Sequence, residues 1–382
     1  MILINQNIKT IYAFLIYLIP YSLVAGNFYA DLNISLLGII FIFHIILKKH
    51  YYLLKNKFTL IFFVFYFSLL ISSLISKNIL LSFESSLFYF RYFFYAMAVY
   101  YALKYNQFNK KYLLYNFIFV VSILLLDGFY QYFSGYNILN YKWDGDRLSS
   151  LFGEEKILGS FLSRIMPFIL ALIFFQKQNI KLLIISIIIF IASDILIVLS
   201  GDRTGAFYLL ISCLIIILLI KKYKYIRLIT FIISMILVYF MIQFSPVIKD
   251  RIITKTINEI KVTDNLDGNF IDKYTFFSKT HSNYANVSIK MFKEYPIFGV
   301  GPKLFRYECN NKKFRIDNKV FCNTHPHNTF LQLLSETGLI GFGIVFFVLF
   351  WVIKKLFYQF YSILFLKRYK YSDYTICLLV SI

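Results

Sequence analysis

Residues Lys181-Leu182-Leu183-Ile184-Ile185-Ser186-Ile187-Ile188-Ile189-Phe190-Ile191-Ala192-Ser193-Asp194-Ile195-Leu196-Ile197-Val198-Leu199 form an apolar run that ends on the polar turn Ser200-Gly201-Asp202-Arg203-Thr204-Gly205. The run has about the length that a helix needs to cross a hydrocarbon core, roughly 20 residues. It is continuous rather than alternating, which points to a membrane helix and not to a barrel strand. Comparable runs lie at 10–26, 30–47, 58–76, 83–103, 112–127, 157–176, 205–220, 227–244 and 338–353. One more begins near 374 and is still too short to cross when the chain stops at Ile382. The expected fold class is therefore all-α: a polytopic transmembrane helical bundle of about 11–12 helices. The last helix reads as truncated, and the sequence as a fragment.

Composition agrees. Of 382 residues, 59% are hydrophobic and 21% aromatic, while only 15% are charged. A soluble domain carries about 25% charged residues. The net charge of +21 could indicate nucleic acid. The lysines, however, stand in short connectors between apolar runs and not along one face, so no nucleic-acid partner is expected. The first apolar run lacks a small-residue cleavage site, and others follow at once, so it does not read as a secretory signal.

Orientation follows from the connectors. Lys48-Lys49-His50 to Lys57, Lys104 to Lys111, Lys177 to Lys181, Lys221 to Arg227, and Lys354 to Lys370 alternate with connectors in which short stretches hold few basic residues. Basic loops stay inside, so the N-terminus reads as cytoplasmic and the 245–326 segment as outer. Three parts are expected: an N-terminal transmembrane bundle over 1–244, an outer loop region over 245–326 with an amphipathic helix, and C-terminal transmembrane helices over 327–382. The amphipathic helix, with Val287, Met291 and Phe292 apolar, should stop before Pro296. Of four cysteines, Cys213 and Cys377 sit in apolar runs and read as packing residues. Cys309 and Cys322 share the outer loop, where a disulfide is compatible with an oxidising compartment.

Three stretches could carry chemistry. In the first, Thr324-His325-Pro326-His327-Asn328 precedes an apolar run, and Pro326 suits the first turn of a helix. His327 and Asn328 would then lie beside unpaired N–H groups, which attract anions. A histidine can take a proton near neutral pH, as a general base must. A metal reading of the two histidines lacks further ligands at useful spacing, and a purely structural role is the bland alternative. In the second, Arg203 stands between two glycines, where a guanidinium can grip two phosphate oxygens; the bland reading is an interfacial anchor. In the third, Asp146-Arg147-Leu148 leads to Leu158-Gly159-Ser160 and to Arg164, one turn inside an apolar run. An ionisable residue there is expensive unless it faces a polar cavity. Arg91 and Glu84 fall under the same argument, or form a structural ion pair on one helical face.

Taken together these residues resemble the O-antigen ligase and O-antigen polymerase superfamily of bacterial envelope glycosyltransferases. The family pattern of His-Asn, nine residues, then Gly-x-x-Gly is met by His327-Asn328 and Gly338-Leu339-Ile340-Gly341. Pro296-Ile297-Phe298-Gly299-Val300-Gly301-Pro302, the 200–205 turn and the segment from Arg147 to Ser160 match in order. The resemblance covers about 145 to 345 in detail. It implies an enzyme of the inner membrane acting at the periplasmic face. Such an enzyme moves a glycan from an undecaprenyl-diphosphate carrier to an acceptor hydroxyl, on the lipid A core in ligases or on another carrier-linked repeat in polymerases. It implies inversion at the anomeric carbon, with no cofactor, metal or nucleotide sugar.

By motif, His327 would activate the acceptor and Arg203 would hold the diphosphate. Arg147, Arg164, His325 and Asn328 are further candidates for binding diphosphate or glycan, and Gly338 and Gly341 would be structural. One departure stands out. The family commonly carries a second arginine shortly before the amphipathic helix, where this chain reads Lys279-Thr280-His281-Ser282-Asn283. His281 or Lys279 would have to substitute, with Arg251 or Arg306 as other candidates. The rival class is a transporter or flippase, in which the arginines guide an anionic lipid and nothing is cleaved.

Overall fold

The computed structural model describes residues 2–176, 179–260, 279–316 and 319–382. Lys177 and the stretch 261–278 of the outer loop lie outside the described residues, and so does the side chain of Lys279. The described chain is helical, and no strand occurs among those residues beyond two isolated bridges. This is the polytopic helical membrane architecture that the apolar runs predict. The main helices are α1 (Ile2–Ala25), α2 (Asn27–Lys48), α3 (Lys57–Leu74), α4 (Ile79–Ser86), α5 (Phe90–Lys104), α6 (Lys110–Ser134) and α7 (Leu158–Phe174). They continue with α8 (Ile180–Leu199), α9 (Arg203–Leu219), α10 (Lys224–Phe244), α11 (Lys279–Glu294), α12 (Thr329–Leu364) and α13 (Asp373–Val380). Seven of them are long and apolar enough to cross a membrane: α1, α2, α3, α6, α8, α10 and α12. The shorter α7 and α9 are also apolar.

Polar caps set where these helices begin. Asn56 accepts from the Thr59 N–H, Asn109 from Lys111, Asn179 from Lys181 and Asp202 from Gly205. Each cap satisfies a first-turn N–H that has no partner within its own helix.

Two expectations need correction. The run at 83–103 is not one helix: α4 ends at Ser86, a 3-10 turn spans Leu87–Tyr89, and α5 starts at Phe90. Ser86 Oγ donates to the Ser82 carbonyl at 3.0 Å and shares a hydrogen bond with Ser73 at 2.7 Å. Serine bonding back into its own helix bends it at that point. Glu84 consequently pairs with Lys303 at 2.7 Å, while the Arg91 guanidinium lies over the Tyr92 ring. Second, the last long helix starts at Thr329, not near Pro326. His327 adopts φ +56°, and Asn328 is the effective cap, its Oδ1 accepting from the N–H groups of Phe330 and Leu331 at 3.0 and 3.1 Å.

The chain divides into two compact units. One comprises 1–33, 101–256 and 352–382; in it α8 packs on α10, and α7 packs on α8, α9 and α13. Its interior holds an ion pair that the apolar pattern conceals. Both Arg227 terminal nitrogens reach the Asp194 carboxylate, at 2.7 and 2.9 Å, and Arg227 also donates to Cys213 Sγ at 2.6 Å. Ser234 adds a hydroxyl to the same carboxylate. Arg227 is thus not a connector charge, as its place beside Lys221–Lys224 suggests, but a buried member of α10.

The other unit comprises 34–100 and 257–351. The segment around α11 and the residues after it has a small core of its own, made of Val287, Met291, Val300, Leu304, Phe305, Cys309 and Phe314. Cys309 and Cys322 are joined by a disulfide. Lys77 anchors this segment through a 3.0 Å ion pair with the buried Glu308. The hydrogen bond to Glu308 raises the Lys77 ammonium above its ordinary range.

Candidate functional site

Within the first unit, Ser200–Gly205 forms a locked turn between α8 and α9. Asp202, 3% exposed, uses one carboxylate oxygen for the Gly205 N–H and the other for the Ser160 N–H and hydroxyl. One side chain therefore caps both α7 and α9. The two helix ends meet so closely that a Cβ on Gly205 would stand 2.5 Å from the Gly159 carbonyl carbon. Such an approach admits no side chain larger than hydrogen.

Arg203 follows as the first residue of α9, half-buried. The Asp146–Leu148 segment lies alongside. Leu148 N–H donates to the Ser200 carbonyl at 3.0 Å, and Arg251 bridges Asp146 (2.9 Å) and the Gly201 carbonyl (3.4 Å). Arg147 sits between these contacts, and its buried Nε meets no acceptor among the described residues. A buried N–H of a cation without an acceptor costs free energy, on the order of 1–3 kcal/mol or more, unless a ligand supplies one. Arg164 is exposed on α7 with its guanidinium 4.9 Å from the Tyr208 ring centroid.

Within the second unit, the glycine signature has a mechanical explanation. Gly338 interrupts α12 at φ +61°, ψ −162°. A Cβ there would stand 2.4 Å from the Ile297 carbonyl oxygen, and one on Gly299 (φ +71°) would stand 2.4 Å from the Glu336 carbonyl carbon. Backbone lies directly on backbone. Val300 and Gly301 N–H groups donate to Ser335 and Glu336 carbonyls, and the Leu339 N–H donates to the Pro296 carbonyl at 2.8 Å. The break in α12 thus exposes carbonyls and an N–H that the Pro296–Pro302 loop completes. Ser72 Oγ joins the Phe298 and Glu336 carbonyls to the same knot. Gly341 sits one turn further on, where a Cβ would meet Thr337 Oγ1 at 2.2 Å.

In the same unit, three histidines gather just before the first turn of α12. The ring centroids of His325 and His327 are 4.4 Å apart, those of His281 and His327 5.5 Å, and those of Tyr284 and His327 5.7 Å. Asn323 Oδ1 accepts from the Thr324 N–H at 2.7 Å, which fixes the amide with its nitrogen toward His327 Nε2 at 2.8 Å. The amide nitrogen donates, so Nε2 carries a lone pair. His325 Nδ1 shares a 2.9 Å hydrogen bond with Thr324 Oγ1. His327 and His281 are exposed, and His325 is half-buried.

The sequence-selected residues thus fall into two groups, each in its own unit. Arg147, Arg203 and Arg251 surround the 200–205 turn, while His281, His325, His327 and Asn328 surround the start of α12. Arg251, a candidate for the second phosphate contact, is committed to Asp146 and Gly201; Arg306 is exposed on the short helical turn Phe305–Glu308. Sequence reasoning missed Asn323, whose only signal is its place four residues before His327. It also missed Tyr284, which shares α11 with His281 one turn away. Asp194 carried a stronger signal, a carboxylate within an apolar run. Among the described residues no group of three His, Cys, Asp or Glu side chains is arranged to hold a metal ion.

A family model described as O-antigen ligase matches residues 185–346. The match runs from α8 into α12 and includes Arg203, His281, His325, His327, Gly338 and Gly341; Arg147 and Arg164 precede it. No curated protein matches the chain.

Proposed function

Residues 185–346 place this chain in the O-antigen ligase and polymerase superfamily, and from that premise we propose that it is a ligase. In this reading it transfers a glycan from an undecaprenyl-diphosphate carrier to a hydroxyl of the lipid A core, at the periplasmic face of the inner membrane. Members of the superfamily are glycosyltransferase-like membrane enzymes of envelope polysaccharide synthesis; donor, acceptor, face and mechanism are the proposal.

The observation that carries it is the His327 imidazole, exposed and turned by Asn323 so that Nε2 is an acceptor. In the proposed step the acceptor hydroxyl replaces the Asn323 amide at His327 Nε2 and gives its proton to the lone pair so released, as its oxygen attacks the anomeric carbon. The bond from that carbon to the diphosphate oxygen breaks, and its electron pair leaves with the carrier diphosphate. One displacement inverts the anomeric centre. Within the first unit, Arg203 on the 200–205 turn is the group that the family pattern assigns to the carrier diphosphate, where a guanidinium can hold two phosphate oxygens. No metal or other cofactor enters these steps.

The test is a reaction of purified protein with a defined carrier-linked glycan, with and without lipid A core. Core-dependent product and release of undecaprenyl diphosphate are expected. Growth of carrier-linked chains without core would identify a polymerase instead, and no release of the carrier diphosphate would identify a transporter.

A further inference from the structure

A cavity of about 630 Å³ opens in the first unit between the middle of α1, the start of α6 and the end of α7, and no residue assigned a role above lines it. Its volume lies in the range of small-ligand sites, about 300–1,000 Å³. Lys9, Lys110 and Lys111 line it, and no carboxylate does. Among the described residues none of these three lysines forms an ion pair. Lys110 instead rests over the Phe175 ring at 4.5 Å, and Lys111 over Tyr115 at 5.5 Å. Asn109 caps α6 at the cavity wall, tied to α1 through the Tyr17 hydroxyl, which takes the Asn109 N–H at 2.8 Å.

Three unneutralised ammonium groups around one concave space repel each other, and an anion between them relieves that repulsion. The cavity also lies where apolar helices meet lysine-rich connectors, so an anion bearing apolar chains suits its surroundings better than a free one. Basic pockets between membrane helices bind phosphate headgroups.

We propose that this cavity is a binding site for the phosphate headgroup of an anionic glycerophospholipid, with Lys9, Lys110 and Lys111 as the phosphate ligands and the acyl chains lying along α1 and α6. The site is separate from the proposed glycan-transfer machinery and does not depend on that reading.

The test uses the full chain purified in detergent, with native mass spectrometry reading the binding of phosphatidylglycerol, phosphatidylcholine and inorganic phosphate. Wild-type protein should retain phosphatidylglycerol in preference to phosphatidylcholine. The triple variant Lys9→Gln, Lys110→Gln, Lys111→Gln should bind phosphatidylglycerol at least about tenfold more weakly. Lys221→Gln, Lys222→Gln, Lys224→Gln, with the same change in charge, should stay within about twofold of wild type, which separates a site from diffuse attraction. A Lys→Arg triple at the cavity keeps the charge and should keep binding, so a loss confined to the Gln triple is not misfolding. Unchanged binding in the cavity Gln triple, or equal loss in both Gln triples, overturns the proposal. Inorganic phosphate binding as tightly as phosphatidylglycerol would overturn the lipid assignment.

Discussion

His327 holds a left-handed φ of +56° one residue before the cap of α12. Such a conformation is uncommon outside glycine, with histidine, asparagine and aspartate the residues that adopt it most readily. It turns the ring toward Asn323 and the neighbouring imidazoles. His327→Ala should abolish transfer, by at least about a hundredfold, the usual scale of a general base, with expression and membrane insertion unchanged. Activity like wild type in radiolabelled-glycan transfer would remove histidine from the chemistry. Asn323→Leu leaves the imidazole in place but unoriented; it should shift the pH profile of transfer and lower its rate less than His327→Ala does. Gly338→Ala is a structural contrast. Positive φ and an Ile297 oxygen 2.4 Å from the new methyl should lower the thermal stability of the purified protein, by several kcal/mol in all.

At the scale of elements, the 279–328 segment depends on two fasteners. The Cys309–Cys322 disulfide closes a short loop, and losing such a bridge costs about 3 kcal/mol. Cys309→Ser with Cys322→Ser should make the 279–328 segment cleavable by a protease at temperatures where the wild type resists. Lys77→Ala leaves the buried Glu308 carboxylate without its cation, and proteolysis of the same segment should accelerate to a smaller degree. The sign of the pH effect follows from the raised Lys77 value. Its stabilisation is complete below the ordinary lysine range, about 10.4, and fades only as pH climbs through the raised value, so this contact should stay level through neutral pH.

For the whole molecule, the interior of the first unit contains a charge pair where the apolar pattern suggests hydrocarbon alone. Breaking a buried pair from one side is costly, about 3–5 kcal/mol, because the other charge is stranded. Asp194→Asn should therefore reduce the yield of folded protein, read by size-exclusion fluorescence. The double change Asp194→Leu with Arg227→Met should recover much of it; no recovery would assign the pair a role beyond stability. Orientation is testable separately. The lysine-rich connectors predict that a cysteine at Ser282 is labelled by an impermeant thiol reagent from the outer side, and that one at Lys49 is not. The reverse pattern would invert the proposed face of action.

Much of this was legible in the chain by itself. Continuous apolar runs of bilayer length impose helices because a helix satisfies its backbone hydrogen bonds within the segment itself, and the spacing of His327-Asn328 from Gly338-Leu339-Ile340-Gly341 marked the loop-to-helix junction at which the candidate base stands. Both depend on local order along the sequence. Tertiary structure decided the rest, since it depends on which distant groups meet. Ser82 and Ser86 finding Ser73 split α4 from α5, and the Pro296–Pro302 loop filling the break at Gly338 explains why glycine stands there. Asp194 reaching Arg227 turned an apparent connector charge into a buried one. A hydrophobic pattern records how much of a segment avoids water; it carries no record of the partner that a buried polar group will meet.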